Sequence, residues 1–290
     1  MPSLLSEITT SLGPTSDAPA LDASVLLAQI LKKPRTWVLA HPELTLTETQ
    51  QHQLNEFLAR LGVGEPLPYV LGHWEFFGMD FDVIPDVLIP RPETELLVEK
   101  AIAWLQASPA RKNVADIGTG SGAIAVSIAL NIPDADILAT DISGKALDVA
   151  KRNAQKHAVS DRVQFIQCDL LPARHVPNTD HSSMGSSTPS FDILCANLPY
   201  IPTKTLHSLP IYGREPTLAL DGGVDGFDLI RRLLDLAPDW LAPDAFILLE
   251  IEATRGMQAL ELARTRFSSA EIHLHQDLAG NDRLLEIALK

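Results

Sequence analysis

From Thr94 onward the sequence predicts an α/β fold with a mostly parallel sheet of seven strands. Segments of helical periodicity alternate there with short apolar segments, which is the pattern of repeated β–α units. Residues 246–249 are all apolar, as expected of a strand that is covered on both faces. The predicted strands span 113–117, 136–140, 163–167, 191–196, 245–251, 271–276 and 283–288, and the predicted helices span 94–106, 122–131, 145–157, 226–240 and 255–267.

The first part of the chain has a different character. Apolar residues recur at helical spacing in two segments of the first 63 residues, and they are Leu21, Val25, Leu26, Ile30, Leu54, Phe57, Leu58 and Leu61. Prolines and glycines then divide 64–92 into short segments rich in Val, Phe and Ile, which favours a small β-hairpin or linker rather than a helix. We therefore predict a helical domain over 1–63, a β-hairpin linker over 64–92 and an α/β domain over 93–290. Residues 176–190, rich in Ser, Pro and Thr, predict a surface loop without identifiable chemistry.

The bulk composition narrows the class of protein. The 290 residues contain no apolar run long enough to span a membrane, and the first twenty lack the features of a signal peptide. Two isolated cysteines, Cys168 and Cys195, form no disulfide framework, so we expect a cytoplasmic protein. His273 and His275 share a strand face without a third ligand, so no metal site is predicted. The net charge of −14 disfavours a surface built mainly to hold nucleic acid, although it leaves room for a local basic groove.

A glycine-rich segment follows the first predicted strand of the sheet. Residues 116–122 read Asp-Ile-Gly-Thr-Gly-Ser-Gly and lead directly into a helix. Glycines let the backbone turn sharply and approach a ligand closely, and the start of the helix offers free N–H groups. The next strand ends at Asp141 and the one after it at Asp169, so three carboxylates meet at one edge of the sheet. The sequence therefore predicts a ribose-containing cofactor at this edge.

Two classes of cofactor remain open at this point. Residues 118–123 also fit the dinucleotide fingerprint, with Asp141 at the expected distance, so an NAD-binding domain is the alternative. A diphosphate would sit poorly against the carboxylate of Asp116, whereas a sulfonium-bearing methionine with a free ammonium group would sit well. Asp169 by itself is equally compatible with a helix cap or a turn. The three strand-end acids together favour the methionine-based cofactor.

This glycine segment, followed by Asp141, resembles the S-adenosylmethionine loop of Rossmann-like class I methyltransferases. The resemblance implies that the first acid lies near the methionine end of the cofactor, that the second binds the ribose and that the third lies near the adenine. The residues that it implies for cofactor binding are Asp116, Gly118, Thr119, Gly120, Gly122, Asp141, Ile142, Asp169, Leu170 and Asn197.

The segment Asn197-Leu198-Pro199-Tyr200 resembles the (Asn/Asp)-Pro-Pro-(Tyr/Phe) motif of methyltransferases that modify planar nitrogen atoms. An amide nitrogen is a poor nucleophile because its lone pair is delocalised, so acceptors on its two hydrogens must orient it and stabilise the developing charge. The resemblance implies that the Asn197 side-chain oxygen and the Leu198 carbonyl are those acceptors, and that Tyr200 packs on the planar group. Leucine replaces the usual proline but keeps the carbonyl, and Pro199 still holds residue 198 extended. We predict that all four residues are catalytic and contact the substrate.

Three longer segments narrow the resemblance to one family. Residues 68–78, 88–95 and 215–226 resemble, in order, segments of bacterial release factor glutamine N5-methyltransferases. A sister family that modifies a ribosomal-protein glutamine normally carries Pro-Arg-Ser where this chain has Pro-Arg-Pro-Glu-Thr-Glu. Glu252 departs from the family, which usually has glycine there, whereas residues 280–283 fit its pattern. The release factor enzymes are therefore the better match.

This resemblance implies methyl transfer from S-adenosylmethionine to the side-chain N5 of the glutamine in the Gly-Gly-Gln motif of peptide chain release factors. It makes the helical domain a substrate-recognition domain and the α/β domain catalytic. Arg91 and Glu93 are then part of the substrate site, although acids also favour a helix start. The alternatives are a nucleic-acid amino-methyltransferase, a ribosomal-protein glutamine methyltransferase and a non-catalytic cofactor-binding module. We expect release factors as partners, and neither a membrane nor direct nucleic-acid contact.

Overall fold

The computed structural model of the chain describes residues 3–172 and 190–290. The chain forms two compact units, Met1–Trp74 and Glu75–Lys290. The division between them lies inside the segment 64–92. The surface loop expected over 176–190 lies outside the described residues except for Ser190, which is exposed.

The first unit is helical. Its helices are α1 (Leu4–Leu12), α2 (Pro19–Leu31), α3 (Arg35–Ala40), α4 (Glu48–Gly62) and α5 (Leu67–Leu71). Thr47 and Gln50 form a reciprocal capping box at the start of α4. Leu26 and Ile30 lie in the apolar core of this unit, as the periodicity predicts. Leu21, expected on the same face, is instead 45% exposed, because the buried face of α2 passes through Ala23, Leu26 and Leu27.

Helix α5 shows that the prediction of no helix within 64–92 is wrong. Pro66 and Pro68 suggest a break, but proline fits the first turn of a helix, where the N–H groups have no partner within the helix. Gly72 ends α5 with a φ of 81°, which glycine adopts without strain. A two-stranded hairpin follows, formed by β1 (His73–Phe76) and β2 (Met79–Asp82).

Helices and strands alternate through the rest of the second unit. The helices are α6 (Glu95–Gln106), α7 (Ala123–Asn131), α8 (Gly144–Lys156), α9 (Thr203–Leu206), α10 (Asp228–Leu236) and α11 (Gly256–Arg266). The strands are β3 (Asn113–Ile117), β4 (Asp136–Asp141), β5 (Val163–Gln167), β6 (Phe191–Ala196), β7 (Leu241–Glu250), β8 (Glu271–Gln276) and β9 (Asp282–Ala288).

Strands β3 to β9 form one sheet in the order β5-β4-β3-β6-β7-β9-β8. The pairs among the first five are parallel, and β9 is antiparallel to both of its neighbours. This confirms the predicted sheet of seven mostly parallel strands. An antiparallel strand between β7 and β8 also distinguishes the sheet from the all-parallel order of dinucleotide-binding folds.

Most boundaries lie within one or two residues of the prediction, and the two larger differences both involve proline. The helix expected over 226–240 ends at Leu236, and a 3-10 turn containing Pro238 follows, because proline lacks the N–H that a helix interior requires. Strand β7 begins at Leu241 rather than at 245. Its first residues include Pro243 and Asp244, and the latter has a φ of 59°, so this part of the strand has no apolar pattern.

Side chains of the sheet alternate between two apolar layers. Val114 and Ile193 pack with residues of α6 and α7 on one face, whereas Ala115 and Leu194 pack with residues of α10 and α11 on the other. The central strands are therefore covered on both faces. Because β3, β4, β6 and β7 run parallel, their carboxyl ends lie at one edge, and this edge holds the candidate site.

Candidate active site

The glycine loop between β3 and α7 has room for little besides backbone. Gly118, Gly120 and Gly122 have φ values of 73°, 56° and 83°, a region that side chains disfavour. The N–H of Gly118 donates to the carbonyl of Thr140 at 2.9 Å, which ties the loop to the end of β4. A Cβ atom on Gly122 would lie 3.1 Å from Ala150 on α8. The loop is thus a close-packed backbone turn before a helix.

Asp116, near the end of β3, is completely buried. Its Oδ2 accepts from the hydroxyl of Thr119 at 2.6 Å and from the N–H of Ala125 at 3.2 Å. Its Oδ1 is buried with no hydrogen-bond partner in the part of the chain that the structure describes. Burial raises the pKa of Asp116 to about 7, and the bonds from Thr119 and Ala125 oppose that rise. A buried acceptor without a donor fits a cofactor that carries an ammonium group at this end.

Asp141, at the end of β4, joins the glycine loop to the start of α8. Its carboxylate accepts from the N–H of Gly120 at 2.9 Å and from the N–H of Ser143 at 2.8 Å. Burial raises the pKa of Asp141, and hydrogen bonds from Ser143, Gly120 and Ile142 oppose that rise. The Ile142 side chain next to it is 50% exposed. A carboxylate beside an accessible apolar side chain suits the hydroxyls and the ring of a nucleoside.

The third strand-end acid has different surroundings. Asp169 forms an ion pair of 2.7 Å with Arg232, and both side chains are about half exposed. The next residue, Leu170, has a φ of 64°, and its carbonyl accepts from the hydroxyl of Thr140 at 2.7 Å. The turn after β5 is thus fixed to β4 through its backbone, while the Asp169 side chain lies at the surface.

Asn197, directly after β6, is held by a chain of hydrogen bonds. Its Nδ2 donates to Oγ1 of Thr94 at 3.0 Å, and that hydroxyl donates to Oε2 of Glu250 at 2.6 Å. The hydroxyl of Tyr200 donates to the other oxygen, Oε1, of Glu250 at 3.0 Å. Glu250 is the last residue of β7 and is 1% exposed. One buried carboxylate therefore holds two residues of the motif, directly or through Thr94.

The electrostatics of this cluster keep the tyrosine neutral. Burial and the adjacent Glu250 carboxylate raise the pKa of Tyr200 far above its ordinary value. Burial also raises the pKa of Glu250, while hydrogen bonds from Thr94 and Tyr200 and the charge of Arg283 oppose that rise. Tyr200 is thus neutral and donates a hydrogen bond to Glu250, and it is a poor general base.

The backbone of the motif is closely packed on two sides. A Cβ atom on Gly118 would lie 3.0 Å from Cδ2 of Leu198, so the glycine loop contacts the buried leucine that replaces proline. On the other side, a Cβ atom on Gly222 would lie 2.7 Å from Cα of Tyr200 and 2.8 Å from the carbonyl oxygen of Pro199. Segment 215–226 therefore supports the motif, which accounts for Gly222.

Arg91 pairs with Glu215, 124 residues later in the chain, at 2.5 Å. The other oxygen of Glu215 accepts from the N–H of Ile89 at 3.1 Å, and Glu215 itself is 7% exposed. Glu95 accepts from the N–H of Phe77 in the turn of the hairpin at 2.8 Å. Glu93 acts at a distance, because its charge raises the pKa of Glu250. These contacts join the proline-rich segment to the rest of the second unit.

Sequence reasoning missed the buried partners of the site. Thr94 and Glu215 stand inside segments that carry the family resemblance, yet their contacts are not evident from those segments. Glu250 follows an apolar strand in the same way as Asp116 and Asp141, and that position at a strand end is the signal that could have identified it. Arg283 stands in the segment 280–283 that fits the family pattern, but that segment does not show that β9 places its charge beside Glu250.

Two family models match this chain. The PrmC N-terminal domain matches residues 3–72, and a methyltransferase domain matches residues 109–212. The chain is 40% identical to the release factor glutamine methyltransferase of Moorella thermoacetica over 269 residues, which cover 92% of this chain and 90% of the relative. It is 35% identical to the Salmonella typhimurium protein of the same name over 270 residues, which cover 93% and 92%.

Solved structures show the same fold in more distant proteins. A 16S rRNA N2 G1207 methyltransferase of T. thermophilus is 17% identical and superposes with a TM-score of 0.51, over 75% of this chain and 50% of that one. The catalytic domain of hMettl16 is 15% identical, with a TM-score of 0.52, over 74% and 76%.

The sheet order, the glycine loop and the strand-end acids define a class I methyltransferase, the class whose methyl donor is S-adenosylmethionine. This outcome excludes the NAD-binding alternative. The chain belongs to the family of release factor glutamine methyltransferases. No helix in the described ranges is long and apolar enough to cross a membrane.

Proposed function

We propose that this enzyme transfers a methyl group from S-adenosylmethionine to the side-chain N5 of the glutamine in the Gly-Gly-Gln motif of peptide chain release factors. The names of its relatives support the substrate. The observation that carries the chemistry is the orientation of Asn197. Its Nδ2 donates a hydrogen bond to Thr94, which leaves its Oδ1 to accept a hydrogen bond from the amide of the substrate glutamine. Release factors work on ribosomes, so the cytoplasm is the proposed compartment.

The cofactor, when bound, supplies an electrophilic methyl group on a sulfonium. Asp116 and the loop Gly118 to Gly122, including Thr119, bind its methionine end, where the buried Oδ1 accepts a hydrogen bond from the ammonium group. Asp141 binds the ribose hydroxyls, and Asn197 borders the methionine end. Ile142, Leu170 and Asp169 line the adenine end of the cofactor. Asp169 lies there at the surface, where it forms an ion pair with Arg232.

The protein's contribution to transfer is orientation. Oδ1 of Asn197 and the carbonyl of Leu198 accept the two hydrogens of the glutamine amide, which directs the nitrogen lone pair at the methyl group. Both acceptors also stabilise the positive charge that develops on nitrogen. Tyr200 packs on the amide plane, and Pro199 fixes the backbone between them. The methylated nitrogen is acidic enough to lose its proton to water, so no strong base is needed.

The proposed organisation assigns substrate recognition to 1–63, a linker to 64–92 and catalysis to 93–290. Arg91 and Glu93 stand at the start of the catalytic domain. Arg91 keeps some exposure while paired with the buried Glu215, so we propose that it contacts the backbone or a carboxylate of the release factor loop.

A transfer assay with labelled cofactor tests this function. The enzyme should add one methyl group to purified release factor and none to a release factor with alanine in place of that glutamine. Free RNA and DNA, included as parallel substrates, should stay unlabelled. Label in nucleic acid or in a ribosomal protein but not in release factor would overturn the substrate assignment.

Asn197→Ala tests the mechanism separately. It removes one of two positioning acceptors, so turnover should fall about 100- to 1,000-fold, the effect of losing one preorganised group at a charged transition state. Binding of S-adenosylmethionine, measured by calorimetry, should change little. Normal turnover in this variant would contradict the assigned role even if the substrate were right.

A further inference from the structure

The hydroxyl of Thr94 stands between a carboxylate and an amide, and its proton decides how the amide lies. A carboxylate accepts hydrogen bonds and donates none. Thr94 Oγ1 lies 2.6 Å from Oε2 of Glu250, so its single proton goes to Glu250. Its lone pairs then face Asn197 at 3.0 Å and require a donor, which is the NH₂ group and not the carbonyl oxygen. The proton count therefore fixes both ends of the Asn197 amide.

Glu250 is surrounded by groups that favour its charged form. The hydroxyls of Thr94 and Tyr200 each donate to one of its oxygens. Arg283, on the neighbouring strand β9, adds a positive charge, because Glu250 pairs with Leu284 in the register of the sheet. Burial opposes this set and raises the pKa of Glu250, and the charge of Glu93 adds to that rise. A protonated Glu250 would itself donate, and Thr94 could then turn its proton toward Asn197.

We propose that Glu250 and Thr94 are positioning residues that hold the Asn197 oxygen toward the substrate, and that they thereby select a neutral amide over a carboxylate. This inference rests on the proposed function. A glutamate side chain in the acceptor position would meet two oxygen acceptors, Oδ1 of Asn197 and the carbonyl of Leu198, and would be repelled by both. An Asn197 free to turn would offer its NH₂ group and would tolerate the carboxylate.

Thr94→Val and Thr94→Ser test the selection. Valine keeps the shape of threonine without the hydroxyl, whereas serine keeps the hydroxyl. The readout is a ratio of two dissociation constants, measured on enzyme holding S-adenosylhomocysteine. It is the dissociation constant of a release factor with glutamate in the Gly-Gly-Gln position, divided by that of the release factor with the natural glutamine. The wild type should bind the glutamate form at least about tenfold more weakly, because buried acceptors reject it.

The Val variant should lower this ratio at least about tenfold, and its turnover on the glutamine form should fall by a similar factor. The Ser variant should keep the ratio within about threefold of the wild type, which also shows that the position tolerates substitution. A wild-type ratio in the Val variant, an equal change in both variants, or a wild type that does not discriminate would each overturn the inference. A wild type that does not methylate release factor would instead refute the proposed function.

Glu250→Gln provides a second readout that a merely structural role would not move. A glutamine accepts from only one of the two hydroxyls and donates to the other, so Thr94 keeps its acceptor only when the amide oxygen faces it. The wild-type kcat, at saturating cofactor, should fall as the pH is lowered through the raised pKa of Glu250, because protonation releases Thr94. Glu250→Gln should have a lower kcat and should lack this acid limb. An unchanged acid limb in the variant would contradict the role of Glu250.

Discussion

Asp141 and Asp169 end neighbouring strands, but only one of them is built into the glycine loop. Asp141 accepts from Gly120 and Ser143, whereas Asp169 pairs with Arg232 at the surface. Two aspartates at similar positions after neighbouring strands therefore differ in how much we expect them to contribute to cofactor binding. Sequence spacing identifies both acids, but it cannot show which of them is partly buried.

Asp141→Ala should weaken S-adenosylmethionine binding by about 1.5–3 kcal/mol, because it removes charge-assisted hydrogen bonds to the ribose. Asp169→Ala is the matched control and should cost clearly less, since its carboxylate is already exposed to water and paired with Arg232. Isothermal calorimetry on both variants measures the difference. Unchanged binding in Asp141→Ala, or equal losses in the two, would remove the ribose assignment.

Asp116 should make cofactor binding depend on pH. Its pKa is raised to about 7, and the ionised form pairs with an ammonium group, so affinity should fall as the pH drops below about 7. The slope should approach tenfold per pH unit at most, the limit for one proton. Asp116→Asn should bind more weakly and without this slope. Equal slopes in the variant and the wild type would show that another group is titrating.

The stability of the cofactor-free protein should respond with the opposite sign. The folded state binds the Asp116 proton more tightly than the unfolded chain, whose pKa is near the ordinary 3.8. The share of stability due to this group is thus fully present below that value and lost as the pH rises through about 7. Urea denaturation at several pH values, with Asp116→Asn as reference, measures it.

At the level of elements, the Asn197–Tyr200 segment is held between two glycine-containing segments. Gly118 faces the side chain of Leu198, and Gly222 faces the backbone of Tyr200. The sequence predicts the loop at Gly118 from its glycine pattern. It does not predict the support that Gly222 gives to the Asn197–Tyr200 segment, because that support consists of contacts between backbones and leaves no sequence pattern.

Gly222→Ala should lower turnover at least about tenfold while cofactor binding stays within about threefold, because a misplacement near the reacting atoms is costly. The atoms that a Cβ would meet, Tyr200 Cα, Gly226 Cα and the Pro199 carbonyl oxygen, are all backbone and cannot move aside cheaply. Gly62→Ala is the control, since a Cβ there meets nothing within 4 Å. Full activity in Gly222→Ala would show that segment 215–226 can move away from the new Cβ atom without displacing the Asn197–Tyr200 segment.

For the molecule as a whole, the elements could be predicted far better than their connections. Residues 113–117, 163–167 and 191–196 have the same bounds in the structure as in the prediction, because each is rich in strand-forming apolar residues and is followed within two residues by Gly118, Asp169 or Asn197, which favour turns. Prolines account for two errors of the prediction. Pro66 and Pro68 suggested that no helix forms where α5 lies, and Pro238 ends α10 earlier than predicted. Contacts such as Thr94 to Glu250 join residues 156 positions apart, and only the order of strands in the sheet creates them.

The Arg91–Glu215 pair is one such long-range connection, and we expect it to stabilise the fold. Glu215→Ala leaves Arg91 and the N–H of Ile89 without their acceptor in a largely buried place, so it should cost about 3 kcal/mol of unfolding free energy. Asp86→Ala, which breaks an exposed pair with Lys145, should cost less than about 1 kcal/mol. Urea denaturation compares them, and similar losses in both would contradict the structural role of Glu215.

The position of β9 has a consequence for the order in which the protein matures during synthesis. This strand leaves the ribosome after every other strand of the sheet, yet it lies between β7 and β8 rather than at the rim. Until it emerges, β7 exposes an unpaired apolar edge, and Glu250 has no arginine beside it. Glu250 then has the hydroxyls of Thr94 and Tyr200 but not the charge of Arg283, so we expect its pKa to lie higher until β9 pairs with β7. In that interval the open edge of β7 is the part of the sheet that chaperones would have to protect.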